Sequence, residues 1–198
     1  MPALGESAPT VHTTDMRWLL SILVAAGMLA LPALAASVDP RLFVLSQADV
    51  PSGYLFDDDN SLLFTRAQLE RVPDDESRVL LRAGFQAGHF ARYLNSNPPR
   101  WRYVNSGVFV FLRPKGARTY MPRLIKAEFV QRGVRPRRVS LGDEAWVYAS
   151  ASRAIGTSVV WRYGRVLAWV NCSQMTNHGT LARALAGKQQ RRIATELR

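Results

Sequence analysis

Three apolar strand patterns follow one another late in the chain, at residues 145–149, 157–163 and 165–171, joined by connections too short for a crossover. Strands linked in this way pair antiparallel, and that constrains the fold more than any other feature. The last two meet at Tyr163-Gly164-Arg165, which reads as a tight hairpin. Upstream, WRYVNSGVFVFLR at 101–113 is the strongest strand of all. Its run from Val108 to Leu112 has no polar break, so both of its faces should be covered, as in a central strand. A shorter strand is expected at 89–94, ended by the breaker Asn97-Pro98-Pro99.

Helical periodicity fills the gaps. Asp74 and Asp75 precede an expected helix over 75–87 with Val79, Leu80 and Ala83 on one side. A second helix is expected over 115–131, with Ala117, Met121, Leu124, Ile125 and Phe129 facing the core and Gly133 ending it. Pro122 fits there only in a first turn, because it lacks the N–H that a helix interior needs. A third helix over 179–197 presents Leu181, Leu185, Ile193 and Leu197. Residues 45–60 read as irregular, with a Pro-Ser-Gly turn. The fold class is therefore α+β: an antiparallel sheet of about five strands with packed helices, preceded by an N-terminal signal or anchor helix.

That N-terminal segment is RWLLSILVAAGMLALPALAA at 17–36. Arg17 supplies the charge, Leu19 to Leu31 the apolar stretch, and Pro32 the break before Ala33-Leu34-Ala35. A cut after Ala35 places alanines at the −3 and −1 positions, whereas a cut after Ala36 would place bulky Leu34 at −3. The polar stretch before Met16 contains Glu6 and Asp15 and no cation, so Met16 is read as an alternative start. The division expected is residues 1–35 as leader and signal, and 36–198 as one domain, exported to the periplasm or beyond. The competing reading keeps residues 18–36 as a membrane anchor, barely long enough to span a bilayer.

Charge narrows the partners. The chain carries 26 Lys+Arg against 15 Asp+Glu, a net +11. Seven acids crowd into 57–76, whereas 100–138 holds eleven cations and one acid, Glu128. The lone Cys172 rules out an internal disulfide and, in an apolar strand pattern, reads as a small buried hydrophobe.

Motifs for chemistry are missing. There is no G-x-S-x-G, no zinc-type histidine pairing and no cofactor fingerprint. Asp57-Asp58-Asp59-Asn60 fails the spaced calcium-loop template in each frame, and no metal is expected. Asp143 and Glu144 are neighbours entering a strand, so they point to opposite faces and cannot flank one glycosidic bond. Asp143 is expected to accept backbone N–H bonds at the turn after Gly142. The densest cationic patch is Arg132, Arg135, Arg137 and Arg138, with Trp101 and Arg102 as weaker candidates. For an exported chain, nucleic acid is a poor partner for these. An acidic protein, anionic lipid headgroups or a wall polymer fit the compartment better.

The segments LSQADVPSGY (45–54), LGDEAW (141–146), VVWRYGRVLAWV (159–170) and ALAGKQQRRI (184–193) resemble exported bacterial domains of unknown function. In outline these are similar to the PsbP-like α/β sandwich, an antiparallel sheet carrying helices. The resemblance implies a non-catalytic binding or assembly role and supplies no functional residue. This chain departs from many such domains in having no lipid-attachment cysteine at the end of its leader. The leading expectation is an exported, non-enzymatic module that binds an acidic partner or anionic surface through its Arg-rich side. The alternative is a small-ligand protein or hydrolase with a pocket near His89 or Asp143.

Overall fold

The computed structural model describes residues 38–72, 74–96, 102–128, 135–149, 156–173 and 178–198, with backbone alone at 127 and 128. All of these lie in one compact unit, Pro32–Arg198. The leader, Trp101, Phe129, Arg132 and the bend at Gly133 fall outside the described residues. Among the described residues no helix is long and apolar enough to cross a membrane.

The strands are β1 (Leu55–Phe56), β2 (Leu62–Thr65), β3 (Phe85–Asn95), β4 (Arg102–Phe111), β5 (Arg137–Val139), β6 (Glu144–Ala149), β7 (Thr157–Tyr163) and β8 (Val166–Ser173). They form one sheet in the order β1-β3-β4-β8-β7-β6-β5, with β2 also paired to β3. Every pairing is antiparallel. The helices are α1 (Arg66–Arg71), α2 (Asp75–Arg82), α3 (Pro114–Glu128) and α4 (His178–Glu196). The fold is α+β, as the sequence implies, but the sheet has eight strands rather than about five.

Directly paired residues share a face of an antiparallel sheet, so the register defines two cores. On one face Val104, Val108 and Val110 stand beside Val166, Ala168, Val170 and Cys172, with Val159 and Trp161 next in line. Helix α4 covers this face with Ala182, Leu185, Ala186 and Ile193. Cys172 is fully buried here, which raises its thiol pKa to about 12 and leaves it inert. The opposite face carries Phe109, Phe111, Leu167 and Trp169, and α3 covers it. The helix uses Ala117, Tyr120, Met121 and Leu124, the i, i+3, i+4, i+7 spacing of an apolar stripe.

Phe109 is the centre of this second core. Its ring meets Phe64, Phe85, Tyr120 and Trp169 edge-on, with centroids between 4.9 and 6.3 Å apart. Two glycines make room for these rings. A Cβ on Gly107 would stand 2.1 Å from the Trp169 indole, and one on Gly88 would stand 2.6 Å from Phe109.

Several boundaries differ from expectation. The helix expected over 75–87 ends at Arg82, because Gly84 turns with φ +82° and Leu112 N–H donates to its carbonyl. Residues 85–88 then pair with β4 and lengthen β3 at its start. The short strands β1, β2 and β5 carry too little pattern of their own and exist by pairing with longer neighbours. Pro122 sits inside α3, not in its first turn, and removes the N–H that would bond to the Arg118 carbonyl. Its ring faces solvent, so the buried stripe opposite continues without a break.

Candidate anion-binding face

The four segments behind the sequence resemblance turn out to be two interlocking pairs. Asp49, from the first, accepts from Ser46 N–H at 2.8 Å and Ser46 Oγ at 2.7 Å. It also pairs with Arg192 of α4 at 2.6 Å, while Lys188 donates to its carbonyl at 2.8 Å. Beneath this, fully buried Gln189 donates to the Gly107 carbonyl at 3.2 Å and accepts from Ser106 at 2.9 Å. Ser106 Oγ in turn accepts Leu45 N–H at 3.0 Å, and Tyr93 OH donates to the Leu45 carbonyl. The residues 45–54 are thus clasped to the last helix.

Burial alone would raise the Asp49 pKa, but the Ser46 and Arg192 hydrogen bonds and the nearby guanidinium outweigh it and hold it below the ordinary value. A carboxylate so depressed stabilises the fold above its unfolded pKa, and this contribution is lost as pH falls through the folded value. Asp49→Asn should therefore cost about 1–2 kcal/mol at neutral pH. Between roughly pH 4 and pH 2 the wild type should lose more stability than the variant, checked by urea melts across that range.

The second pair is LGDEAW with the β7–β8 hairpin. Asp143 accepts from Arg162 Nη1 at 2.6 Å and from Gly164 N–H at 2.9 Å. Its backbone acceptance therefore comes from the neighbouring hairpin rather than from its own turn. Gly142, at φ +57°, leaves no space for a Cβ, which would stand 2.3 Å from the Arg162 carbonyl. Gly164 has φ +56° and closes the two-residue hairpin. His89, the other centre of the alternative reading, is half-buried, and its Nδ1 lies 3.0 Å from the Leu62 carbonyl. Desolvation lowers its pKa. Among the described residues His89 hydrogen-bonds to backbone rather than to a carboxylate, and no three metal-ligating side chains converge.

The cationic residues separate. Arg137 and Arg138 are consecutive on edge strand β5, so they take opposite faces. Arg138 lies on the α3 face: its guanidinium is 5.3 Å from the Trp146 ring centroid and 3.6 Å from Glu144. Trp146 Nε1 also donates to Glu144 at 3.3 Å. Arg137 stands beside Val147 on the α4 face, exposed. Arg135 is exposed just before Pro136. Arg102 begins β4, four strands away from β5 in the sheet, on the order of 19 Å at the usual spacing. It is not part of the same patch.

What joins Arg138 instead is α3. Lys115, Arg118 and Lys126 are exposed on its outer side, and among the described residues none of them makes an ion pair. Between α3 and β6 lies a groove of about 540 Å³ lined by Met121, Pro122, Ile125, Pro136 and Trp146. Arg118 and Lys126 border it, and among the described residues Glu144 is its one acid. A second hollow of about 550 Å³ at the start of α3 is bordered by Arg82, Arg113 and Lys115.

The acidic segment 57–76 does little to offset this charge. Asp57 pairs with Arg92 at 3.4 Å, Glu70 with Arg66 at 2.8 Å and Asp75 with Arg78 at 3.2 Å. Only Glu76 reaches α3, pairing with Arg123 at 2.7 Å and accepting from Tyr120. The sequence reading missed Lys115, Arg118 and Lys126 as a group, although their i, i+3, i+11 spacing on one helix could have revealed them.

No family model, PsbP-like models included, and no curated protein matches this chain. Among solved structures, the chain is similar to the extracellular domain of PknH from Mycobacterium tuberculosis, at 14% identity and a TM-score of 0.48. That match covers 78% of this chain and 98% of the other. A likeness of this size carries no functional argument.

Proposed function

We propose that this protein is an exported, non-catalytic binding module that engages an anionic partner or surface through the face formed by α3 and β5. One observation supports this most strongly. Lys115, Arg118 and Lys126 stand exposed on one helix and make no ion pair among the described residues, and Arg118 and Lys126 border an apolar groove beside the Trp146 that Arg138 overlies. Unpaired cations on one side of a fold create a positive field that attracts and orients anionic ligands. The leader at 17–36 supports the exported setting, in which anionic envelope components are the available partners.

Co-sedimentation with phosphatidylglycerol vesicles, compared with phosphatidylcholine vesicles, tests the reading. Binding should be confined to the anionic vesicles and fall by at least about tenfold in roughly 0.5 M salt, where exposed charges are screened. A variant carrying Arg118→Gln, Lys126→Gln, Arg135→Gln and Arg138→Gln should bind no better at low salt than wild type does at high salt. Equal binding by that variant would overturn the assignment.

A further inference from the structure

We infer that the groove between α3 and β6 seats the hydrocarbon of a single-chain anionic amphiphile, an acyl tail bearing a carboxylate or phosphate, taken up as a monomer. The inference rests on the reading of this face as anion-binding and narrows its ligand class.

The walls argue for hydrocarbon. Met121, Pro122, Ile125, Pro136 and Trp146 line an open groove of about 540 Å³, a volume within the usual range of small-molecule sites. Ile125 lies on the helical period of the core residues, yet it is only partly buried and lines this hollow. Trp146 is likewise only partly buried. A peptide laid here would bring N–H and C=O groups that these apolar walls cannot satisfy, and each one stranded weakens binding. A methylene chain brings none.

The shape argues for capture of a monomer. The apolar side chains line a hollow instead of projecting from the surface, so they can receive a chain but have little to insert into a bilayer. The charges argue for an anionic head. Arg118 and Lys126 are eight residues apart on α3, about 12 Å along its axis, and so bracket the groove. Glu144, the acid in the lining, is already held by Arg138 and by Trp146 Nε1. A carboxylate or phosphate at either end therefore meets a cation that makes no ion pair among the described residues.

The test uses bromine-tagged dodecanoate below its micellar concentration, read as quenching of Trp146 fluorescence against a Trp146→Phe reference. Quenching by the dodecanoate should saturate. Bromine-tagged dodecyl maltoside, with a neutral head, should bind at least about tenfold more weakly, and bromoacetate, without a tail, should not quench. Ile125→Glu, which places a carboxylate in the hollow, should abolish the quenching; Arg118→Gln with Lys126→Gln should weaken it several-fold. Wild-type melting temperatures in the variants confirm that folding is intact. Undiminished binding by Ile125→Glu, or quenching that persists in Trp146→Phe, overturns the groove assignment. If monomers fail to bind while phosphatidylglycerol vesicles bind with strong salt dependence, the groove proposal falls and the basic-face reading stands. If neither binds, both fall.

Discussion

Gly107→Ala is expected to destabilise the protein by about 3 kcal/mol, the upper part of the range for overpacking a buried site. The added methyl would stand 2.1 Å from the Trp169 indole, and the next nearest ring atoms are at 2.2 and 2.7 Å. The indole cannot swing aside easily, because Phe109 lies against it at 4.9 Å and it is only 9% exposed. Nor can the backbone retreat, since β4 is paired on both sides, with β3 and β8. For a chain of this length the loss should appear as a fall in melting temperature of about 6–12 °C. The control is Trp169→Leu, alone and combined with Gly107→Ala. With the ring gone the alanine should cost less than about 1 kcal/mol, so the cycle should show a coupling of about 2 kcal/mol. Additive single effects would mean that the indole is not what makes glycine necessary.

The second large effect is expected from Asp143→Ala. The Arg162 side chain is 7% exposed and relies on Asp143 for its closest contact, at 2.6 Å. Removing the carboxylate leaves a buried guanidinium with the Gly164 carbonyl at 3.4 Å, and among the described residues its Nε has no hydrogen-bond partner. Breaking a fully buried pair costs about 3–5 kcal/mol, but Asp143 is itself 39% exposed, so about 2 kcal/mol is the appropriate expectation. Asp143→Asn should fall between, because its side-chain oxygen can still accept the Gly164 N–H while the charge is lost. Urea melts at neutral pH measure this series. Unchanged stability in Asp143→Ala would show that the residue is not the structural clasp described above and would return it to consideration as a reactive group.

Much of the architecture was legible in the sequence because it is written in local patterns. The run Val108 to Phe111 is buried on both faces as its unbroken apolarity implies, whereas Leu112, at the end of that run, is 57% exposed. The short β7–β8 connection fixes antiparallel pairing regardless of anything distant. The candidate site was less legible. Arg135, Arg137 and Arg138 look like one cluster along the chain, but strand alternation sends Arg137 and Arg138 to opposite faces. Ile125 reads as a core residue by helical period, yet it lines the hollow beside β6 and is only partly buried. Gln189 gives no sequence sign that it is fully buried, because what buries it is the backbone at Gly107 and the hydroxyl of Ser106, more than eighty positions away.

Periodicity, strand length and connection length, all properties of neighbouring residues, determined the α+β class, the antiparallel order of the last three strands and the apolar stripe of α3. The surface excess of positive charge also follows from composition, since 26 cations cannot all be matched by 15 acids. Only the tertiary structure decided where that excess stands. The acids of 57–76 pair mostly with their own neighbours and with Arg92, and the packing of α3 beside β6 places Arg118 and Lys126 beside an apolar hollow. The physical reason is that packing joins residues by distance in space, and a one-dimensional pattern carries almost no information about which distant side chains that distance will bring together.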